Sequence, residues 1–262
     1  MAILIFGSSG QLAQSLRDTK QNKEPFFVDR AICDLADPDQ VDFLLERKKP
    51  DLIINAAAYT AVDKAEEEPE LARQINEESV RRMAAFAHAN KAQLIHVSTD
   101  FVFDGTNQSP YRPEDATSPL GVYGESKLAG ERAALQEAPK SIMIIRTAWV
   151  YSEHGANFVK TMLRLMNEKD RLGVVNDQRG SPTCAHGLAE MIWRIADQKL
   201  FAAGIYHWTD EGNITWCEFA KAIQEEGLDA GYLSQAIPIN PITTEDYPTQ
   251  AARPAFSVLD NA

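Results

Sequence analysis

The sequence lacks long apolar runs and paired cysteines, and each absence excludes a class of protein. No stretch approaches the roughly 18 apolar residues of a membrane span, and the start, "MAILIFGSSG", has neither the basic region nor the cleavage site of a signal peptide. The three cysteines, Cys33, Cys184 and Cys217, are scattered, without the close spacing of a metal site or disulfide framework. We therefore expect a cytoplasmic protein, not held by a membrane, whose cysteines pack as small apolar side chains.

Positive charge is also scarce. The chain has 26 Lys and Arg against 38 Asp and Glu, a formal net charge of −12 at pH 7. Nucleic acids and anionic membranes attract basic surfaces that release their counterions, so neither is an expected partner. A small anionic ligand remains compatible with this charge, because a helix N-terminus and one or two arginines can hold a phosphate.

The first part of the chain alternates short apolar runs with helical stretches. The apolar runs lie at 2–6, 26–29, 51–58, 93–100 and 141–151, and helices are predicted from about residue 11, from about 38, across about 67–90 and after 124. Strands that are apolar on both faces and separated by helices are typical of a parallel sheet covered on both sides. Right-handed crossovers then give an α/β fold with a Rossmann-like, doubly wound parallel sheet.

From about residue 152 the pattern becomes less regular. Helices are predicted near 156–169, 184–198 and 215–226, with "RLGVVND" and "GIYHW" as short strands and an irregular tail, "PINPITTEDYPTQAARPAF". We predict a sheet domain at 1–151. Residues 152–262 should form mainly a smaller α/β cap, with some segments returning to the sheet domain.

A glycine turn, "FGSSGQLAQSL", joins the first strand to the first helix. Gly7 and Gly10 permit a tight turn and the close approach of a pyrophosphate to backbone N–H groups, while Ala13 is small enough for helix-to-strand packing. Asp29 ends the second strand, 19 residues after Gly10, where a carboxylate would bind ribose hydroxyls. Arg30 follows it and could meet a 2′-phosphate, so this pair leaves NADH or NADPH open.

The run "SPLGVYGESKLAGE" places Tyr123 and Lys127 four residues apart, so their side chains share one helix face. A tyrosine has a pKa near 10, and a nearby ammonium favours the phenolate. We therefore expect Lys127 to lower the pKa of Tyr123. Ser98 and Thr99 in "VSTD" supply hydroxyls at the end of the fourth apolar run. The small residues of "NAAAYT" would let a cofactor lie against the backbone.

The glycine turn, the Ser/Thr and the Tyr-x-x-x-Lys together resemble the extended short-chain dehydrogenase/reductase superfamily. A finer resemblance, to the dTDP-4-dehydrorhamnose reductase family, is carried by "FGSSGQLA", "DLIINAAAYTAVDKAEEEPELARQIN", "VSTDFVFDG", "SPLGVYGESKLAGE", "RTAWVYSEHGANFVKTMLRL", "VVNDQRGSPT" and "YPTQAARP". This resemblance implies NADPH- or NADH-dependent reduction of the C4 keto group of a dTDP-sugar, dTDP-4-dehydro-6-deoxy-L-mannose. The sheet domain would then bind NAD(P) and the cap would bind the sugar nucleotide.

The resemblance also implies a role for individual residues. Tyr123 would protonate the C4 oxygen, Lys127 would hold the nicotinamide ribose, and Thr99 would fix the carbonyl oxygen. The implied cofactor groove comprises Gly7, Ser9, Gly10, Gln11, Leu12, Asp29, Arg30, Asp34, Leu35, Ala56, Ala57, Ala58 and Tyr59, with Tyr123 and Lys127. The implied substrate site comprises Thr60, Val62, Thr99, Asp100, Phe101, Tyr123, Trp149, Asn157, Arg179 and Arg253.

Several positions depart from the family pattern. Phe101 stands where many relatives have tyrosine, and Arg179 precedes "GSPT" where another residue is often found. Ser15 replaces a carboxylate that some relatives link to a metal-bridged dimer, so no metal is predicted and a homodimer stays open. The chain ends at "SVLDNA", before a helix that relatives usually add, so the cap is expected to be incomplete. The five histidines lack ligand spacing and are expected to be structural or surface residues.

Three alternatives remain open at this stage. A nucleotide-sugar dehydratase usually has "TDE" where this chain has Thr99, Asp100 and Phe101, which argues against water elimination. Another nucleotide-sugar reductase or an epimerase is not excluded by the catalytic helix. A non-catalytic regulatory subunit, of the type that serves methionine adenosyltransferase, would bind NADP without turnover. Thr99, Tyr123 and Lys127 are all present, which favours an enzyme.

Overall fold

The computed structural model describes residues 1–20 and 23–261. In chain order the elements are β1 (Ile3–Phe6), α1 (Gln11–Asp18), β2 (Phe26–Val28), α2 (Pro38–Lys48), β3 (Leu52–Asn55), α3 (Val62–Ala65), α4 (Pro69–Arg73), α5 (Ser79–Asn90), β4 (Gln93–Thr99), α6 (Val122–Glu137), β5 (Ile142–Thr147), β6 (Val150–Tyr151), α7 (Phe158–Glu168), β7 (Leu172–Val175), β8 (Arg179–Gly180), β9 (Thr183–Cys184), α8 (Ala185–Gln198), β10 (Gly204–His207), β11 (Ile214–Thr215), α9 (Trp216–Asp229) and β12 (Ile239–Ile242). Within the described ranges, no helix is long and apolar enough to cross a membrane.

The main sheet is parallel, with the strand order β10-β5-β4-β3-β1-β2. From β1 the chain adds β2 toward one edge of the sheet, and β3, β4, β5 and β10 then extend toward the other edge. This order of strands is that of doubly wound folds, so the predicted fold class is confirmed. "GIYHW" contains the predicted short strand, β10, which pairs with β5 at the edge of this sheet. The chain after residue 151 therefore contributes to both parts, and the boundary at 151 stays a prediction.

Helices cover both faces of the sheet because alternate strand residues point to opposite sides. On one side, Leu4, Ile53, Leu94 and Ile144 belong to a buried cluster with apolar residues of α2, α5 and α6. On the other side, the intervening strand residues pack against α1 and α8, whose contributions include Leu12, Leu16, Leu188 and Ile192. The sheet is thus buried on both faces, which explains its continuous apolar runs.

A second core belongs to the cap. Helices α7 and α9 pack with β7 and β12, around Met162, Met166, Phe219 and Ile223. The strands of the cap pair in twos: β7 with β12, β8 with β11, and β6 with β9. Part of the tail predicted to be irregular therefore forms a strand, β12, which pairs in parallel with β7.

Two predicted elements, the helix over 67–90 and the apolar run 141–151, are interrupted in the structure. The charged helix expected over 67–90 contains a π-helical turn, Gln74–Glu78, between α4 and α5. The side chain of Asn76 in this turn is hydrogen-bonded to the backbone N and O of Tyr59, at 2.8 and 3.2 Å. The apolar run 141–151 divides at Trp149, whose backbone has a left-handed φ of 48°. Such interruptions often mark functional sites.

Candidate active site

A cavity of about 960 Å³ lies at the carboxyl ends of β1, β3, β4 and β5. Ligands of open α/β sheets bind in this position. The predicted site residues that line the cavity are Gly7, Ser9, Gly10, Gln11, Leu12, Asp29, Arg30, Asp34, Leu35, Ala56, Ala57, Ala58, Tyr59, Thr60, Val62, Thr99, Asp100, Phe101, Tyr123, Lys127 and Trp149. The fold thus brings most of the predicted cofactor and substrate residues into one cleft.

The glycine turn fits a dinucleotide pyrophosphate. Gly7 has a φ of 90°, and a Cβ there would lie 2.9 Å from the backbone N and Cα of Ala57. Gly10 is the N-cap of α1 and offers no side-chain cap, so the first N–H groups of the helix are not capped. Free N–H groups and the positive end of the helix dipole suit an anion.

The part of the groove lined by Asp29 and Arg30 carries a carboxylate next to a guanidinium. Asp29 accepts a hydrogen bond from the Ile32 backbone N–H at 2.9 Å. Arg30 donates from Nε and Nη2 to Asp34 Oδ2, at 3.1 and 3.0 Å, while its side chain is 77% exposed. The carboxylate can bind ribose hydroxyls, and the exposed guanidinium can reach a 2′-phosphate. The geometry suits either dinucleotide.

The three predicted catalytic residues meet on one wall of the cavity. Lys127 is buried, and its Nζ donates to the carbonyl oxygen of Val97 at 2.8 Å. The Thr99 hydroxyl donates to Asp100 Oδ1 at 3.0 Å. The Tyr123 ring contacts Phe101 edge to face, with ring centroids 5.5 Å apart. Phe101, which cannot offer a tyrosine hydroxyl, thus packs directly against the predicted proton donor.

The expectation that Lys127 lowers the pKa of Tyr123 is wrong. Burial raises the pKa of Tyr123 to about 12, the Thr99 hydroxyl opposes this rise, and the negative charge of Asp100 adds to it. Burial also lowers the pKa of Lys127 to about 8, against the opposing influence of Glu131. Desolvation outweighs the charge pairing that the sequence suggested. The phenol therefore stays protonated at neutral pH, as a proton donor must.

Asp100 is a buried carboxyl beside this wall. Burial raises its pKa to about 6, although hydrogen bonds from Ser257, Thr99 and the backbone N–H of Phe101 oppose the shift. Its Oδ1 accepts from Thr99, whereas Oδ2 has no hydrogen bond of good geometry among the described residues. A polar group without a full set of partners, facing a cavity, is suited to receive a ligand hydroxyl.

The part of the cavity lined by Trp149 is aromatic. Trp149 stacks on Trp216, with ring centroids 3.5 Å apart and planes at 11°, and both line the cavity. A Cβ at Gly180 would lie 2.5 Å from Trp149 Cε2, so this glycine leaves space for the indole. Sequence reasoning missed Trp216. The Thr215 and Glu218 capping box marks the start of α9, but this local signal does not show that the helix begins at the cavity.

Asn157 lies outside the cavity lining, as the N-cap of α7. Its Oδ1 accepts from the Lys160 backbone N–H at 3.1 Å, and its Nδ2 donates to Gln11 Oε1 at 2.9 Å. Ser152 donates to the same Gln11 oxygen at 3.0 Å. Asn157 thus joins the cap to the first turn of α1. The neighbouring residues Gly155 and Ala156, which sequence reasoning also missed, do line the cavity.

The two predicted arginines, Arg179 and Arg253, also lie outside the lining. Arg179 donates to the side-chain and backbone oxygens of Asn213, at 2.8 and 3.0 Å. Arg253 forms a two-pronged pair with Asp63, at 3.0 and 2.8 Å. Their assignment to the diphosphate stays a prediction.

One group of potential cation ligands occurs in the described part of the chain. Asp18, Glu153 and His154 bring their ligand atoms within 4.8 Å of one another. His154 Nε2 lies 2.6 Å from Asp18 Oδ2, so an ion pair or hydrogen bond accounts for the contact. Clusters of exposed acidic groups are common, and the prediction of no metal is left untested.

Comparison with known proteins identifies close relatives. A model of the family described as "RmlD substrate binding domain" matches residues 1–262. The dTDP-4-dehydrorhamnose reductase of Escherichia coli K12 is 44% identical, covering 99% of this chain and 89% of that protein. The enzyme of the same name from Aggregatibacter actinomycetemcomitans is 43% identical, and the match covers 98% of this chain and 90% of that protein. The crystal structure of dTDP-4-dehydrorhamnose reductase from Bacillus anthracis in complex with NADP is 34% identical, covers 100% of this chain and 92% of that one, and has a TM-score of 0.91.

Proposed function

The chain belongs to the RmlD substrate binding domain family, that of the dTDP-4-dehydrorhamnose reductases, and we propose that Tyr123, Lys127 and Thr99 perform its chemistry. The reaction is the NAD(P)H-dependent reduction of the C4 keto group of dTDP-4-dehydro-6-deoxy-L-mannose to dTDP-L-rhamnose, the final step of dTDP-rhamnose synthesis. The observation that carries our assignment is the position of these three side chains. They line the same cavity as the Gly7 turn.

The groove residues would hold NADPH or NADH. The uncapped start of α1 suits the pyrophosphate, and Asp29 with Arg30 suits the adenosine ribose or its phosphate. Lys127 would reach the nicotinamide ribose from the floor of the cavity. When bound, the reduced cofactor supplies the hydride that adds to C4.

Tyr123 would donate the proton that completes the reduction. A phenol with a pKa of about 12 is fully protonated at neutral pH, and the alkoxide formed at C4 is a stronger base. Thr99 would turn its hydroxyl from Asp100 toward the C4 oxygen. The chain therefore contributes general acid catalysis and positioning.

The remaining predicted residues would bind the dTDP-sugar. Thr60, Val62, Asp100 and Phe101 line the cavity beside the catalytic wall, and Trp149 offers apolar surface to a deoxyhexose. Asn157, Arg179 and Arg253 would face the thymidine diphosphate end. This last role requires each of them to exchange partners on binding, as Arg253 would have to leave Asp63.

We also propose the cellular setting. The cytoplasm supplies both NAD(P)H and nucleotide sugars, so we place the enzyme there. A homodimer stays a prediction from the resemblance.

The test is the loss of near-ultraviolet absorbance of NADH or NADPH when dTDP-4-dehydro-6-deoxy-L-mannose is added. Tyr123→Phe should lower kcat by about 100- to 10,000-fold with cofactor binding retained, because it removes the proton donor. Tyr206→Phe changes an exposed tyrosine on β10 and should be silent. Equal turnover by Tyr123→Phe would overturn the assignment. A wild-type protein that binds cofactor without turnover would instead indicate the regulatory-subunit alternative.

A further inference from the structure

A buried row of three polar side chains runs from the cofactor groove to Lys127. Asn55 ends β3, His96 lies in β4 and Lys127 lies in α6, and all three are buried. Asn55 Nδ2 is 3.1 Å from His96 Nδ1, and His96 Nε2 is 3.3 Å from Lys127 Nζ. The proposed chemistry of the site uses Lys127 but does not account for the other two.

The groove fixes the orientation of the Asn55 amide. The backbone N–H of Ala57, a groove residue, donates to Asn55 Oδ1 at 3.1 Å. The atom that faces this donor must be the oxygen, so the atom that faces His96 Nδ1 is the NH₂ group. Asn55 therefore donates to Nδ1, and Nδ1 carries no proton.

The His96 ring is then defined completely. Burial is the larger cause that holds the pKa of His96 well below its usual value, so the ring is neutral; any positive charge on Lys127 acts in the same direction. A neutral ring with no proton on Nδ1 carries it on Nε2. The Nε2–H donor consequently points at Lys127 Nζ.

This arrangement distinguishes the two charge states of Lys127. An ammonium has three donors and no acceptor, so it would face the Nε2–H donor with a donor of its own. A neutral amine has a lone pair that accepts from Nε2–H while one of its hydrogens is donated to the Val97 carbonyl oxygen. The contacts on both sides of Nζ therefore match the amine.

We propose that Asn55 and His96 are positioning residues that set a hydrogen-bond donor against Lys127 Nζ in the free protein and so favour its neutral amine relative to the ammonium. The link begins at the Ala57 N–H in the cofactor groove, passes through the Asn55 amide and the His96 ring, and ends at Nζ. Lys127 would therefore release its proton to water at a lower pH than a lysine without this link, and negative charge formed beside it, as when Tyr123 gives up its proton, would favour the ammonium. The kinetic consequence rests on the proposed function, whereas the tautomer of His96 does not.

The other charged groups near Lys127 do not reverse this preference. Glu131 lies one turn further along α6 and favours the ammonium. Its carboxylate is already matched by Arg146 of β5, at 2.7 Å, and by the Ser98 hydroxyl of β4. Tyr123 is neutral, and burial outweighs Glu131 in setting the pKa of Lys127, which falls to about 8.

The first test is nitrogen NMR of the His96 ring in the full-length protein. We expect the wild type to show a proton on Nε2 and none on Nδ1. In Asn55→Asp, a carboxylate would accept from both the Ala57 N–H and Nδ1–H, so the proton should move to Nδ1. Asn76→Asp, a buried change of the same kind at a residue hydrogen-bonded to Tyr59 and Ser126 rather than to the ring, should leave the His96 signals unchanged. A wild-type ring protonated on Nδ1 would overturn the proposal even if Asn55→Asp fails to fold.

The second test is the pH profile of kcat/KM. In Asn55→Asp, His96 Nε2 becomes an acceptor for the Lys127 ammonium. The apparent pKa of the limb of the profile that reports Lys127 should therefore rise by about one pH unit or more. An unmoved limb in an active, folded Asn55→Asp would overturn the positioning role. Absence of all reductase activity in the wild type would instead count against the proposed function, and the ring tautomer would still decide this inference.

Discussion

The buried ion pair between Glu131 and Arg146 gives the sharpest prediction about stability. Their side chains are 1% and 3% exposed, and Arg146 donates from Nε and Nη2 to the carboxylate, at 3.0 and 2.7 Å. Arg146 also donates to the Pro113 carbonyl oxygen at 3.2 Å. Removal of either partner leaves a buried charge without its counterion, which is the costly change in such pairs.

The magnitude follows from this geometry. Two unit charges about 4 Å apart interact by about 4 kcal/mol at an effective dielectric constant of about 20. We expect Glu131→Gln and Arg146→Met each to lower the free energy of unfolding by about 3 to 5 kcal/mol. The double variant removes both charges, so its loss should be smaller than the sum of the single losses by about 3 kcal/mol.

Urea unfolding of the wild type, both single variants and the double variant measures these free energies as a double-mutant cycle. Because the pair is buried, the losses should change little with added salt. Ser79→Ala, which removes a buried hydroxyl bonded to the Ile75 carbonyl oxygen in the preceding π-helical turn, serves as the control and should cost about 1 kcal/mol. Single losses below about 1 kcal/mol, or additive losses, would refute the reasoning.

Three further predictions concern the cavity. Because burial raises the pKa of Asp100 to about 6, ionisation costs the folded state stability as pH rises from about 4 to 6. The unfolding free energy of Asp100→Asn relative to wild type should therefore rise by about 3 kcal/mol over that window, and a flat difference would contradict the shift. Gly180→Ala should displace the Trp149 indole by about 1 Å, because the new Cβ would lie 2.5 Å from it and ordinary contacts are about 3.5 Å. This displacement should raise KM for the sugar nucleotide but not for NADPH. Arg30→Ala should weaken NADPH binding by about tenfold and leave NADH binding unchanged. Asp34→Asn, which frees the Arg30 guanidinium, should strengthen NADPH binding. Equal effects on both cofactors would exclude a role of Arg30 in binding the 2′-phosphate.

The sequence predicted the parts of this molecule that depend on local pattern. Alternating apolar runs and helices predicted the sheet, and the Gly7 turn with its position after β1 predicted the cofactor groove. Tyr123 and Lys127 share a helix face because their spacing requires it. Fragments long enough to resemble one family predicted the reaction.

What local pattern could not predict depends on contacts distant in sequence. The partner of β10 is β5, although a short apolar run carries no sign of which edge it joins. The high pKa of Tyr123 results from burial by the assembled cavity, which no spacing reveals. The same holds for His96, which the sequence predicts only to be a structural or surface residue, because its contact with Lys127 joins residues 31 positions apart.

The most direct test of the central claim is to follow the hydride. The wild-type protein, NADPH or NADH carrying deuterium at the nicotinamide C4, and dTDP-4-dehydro-6-deoxy-L-mannose are incubated, and the product is examined by NMR. The account predicts dTDP-L-rhamnose with deuterium at C4 of the sugar, and no such product from Tyr123→Phe on the same time scale. Deuterium at another carbon, or consumption of the sugar without transfer of label, would contradict it.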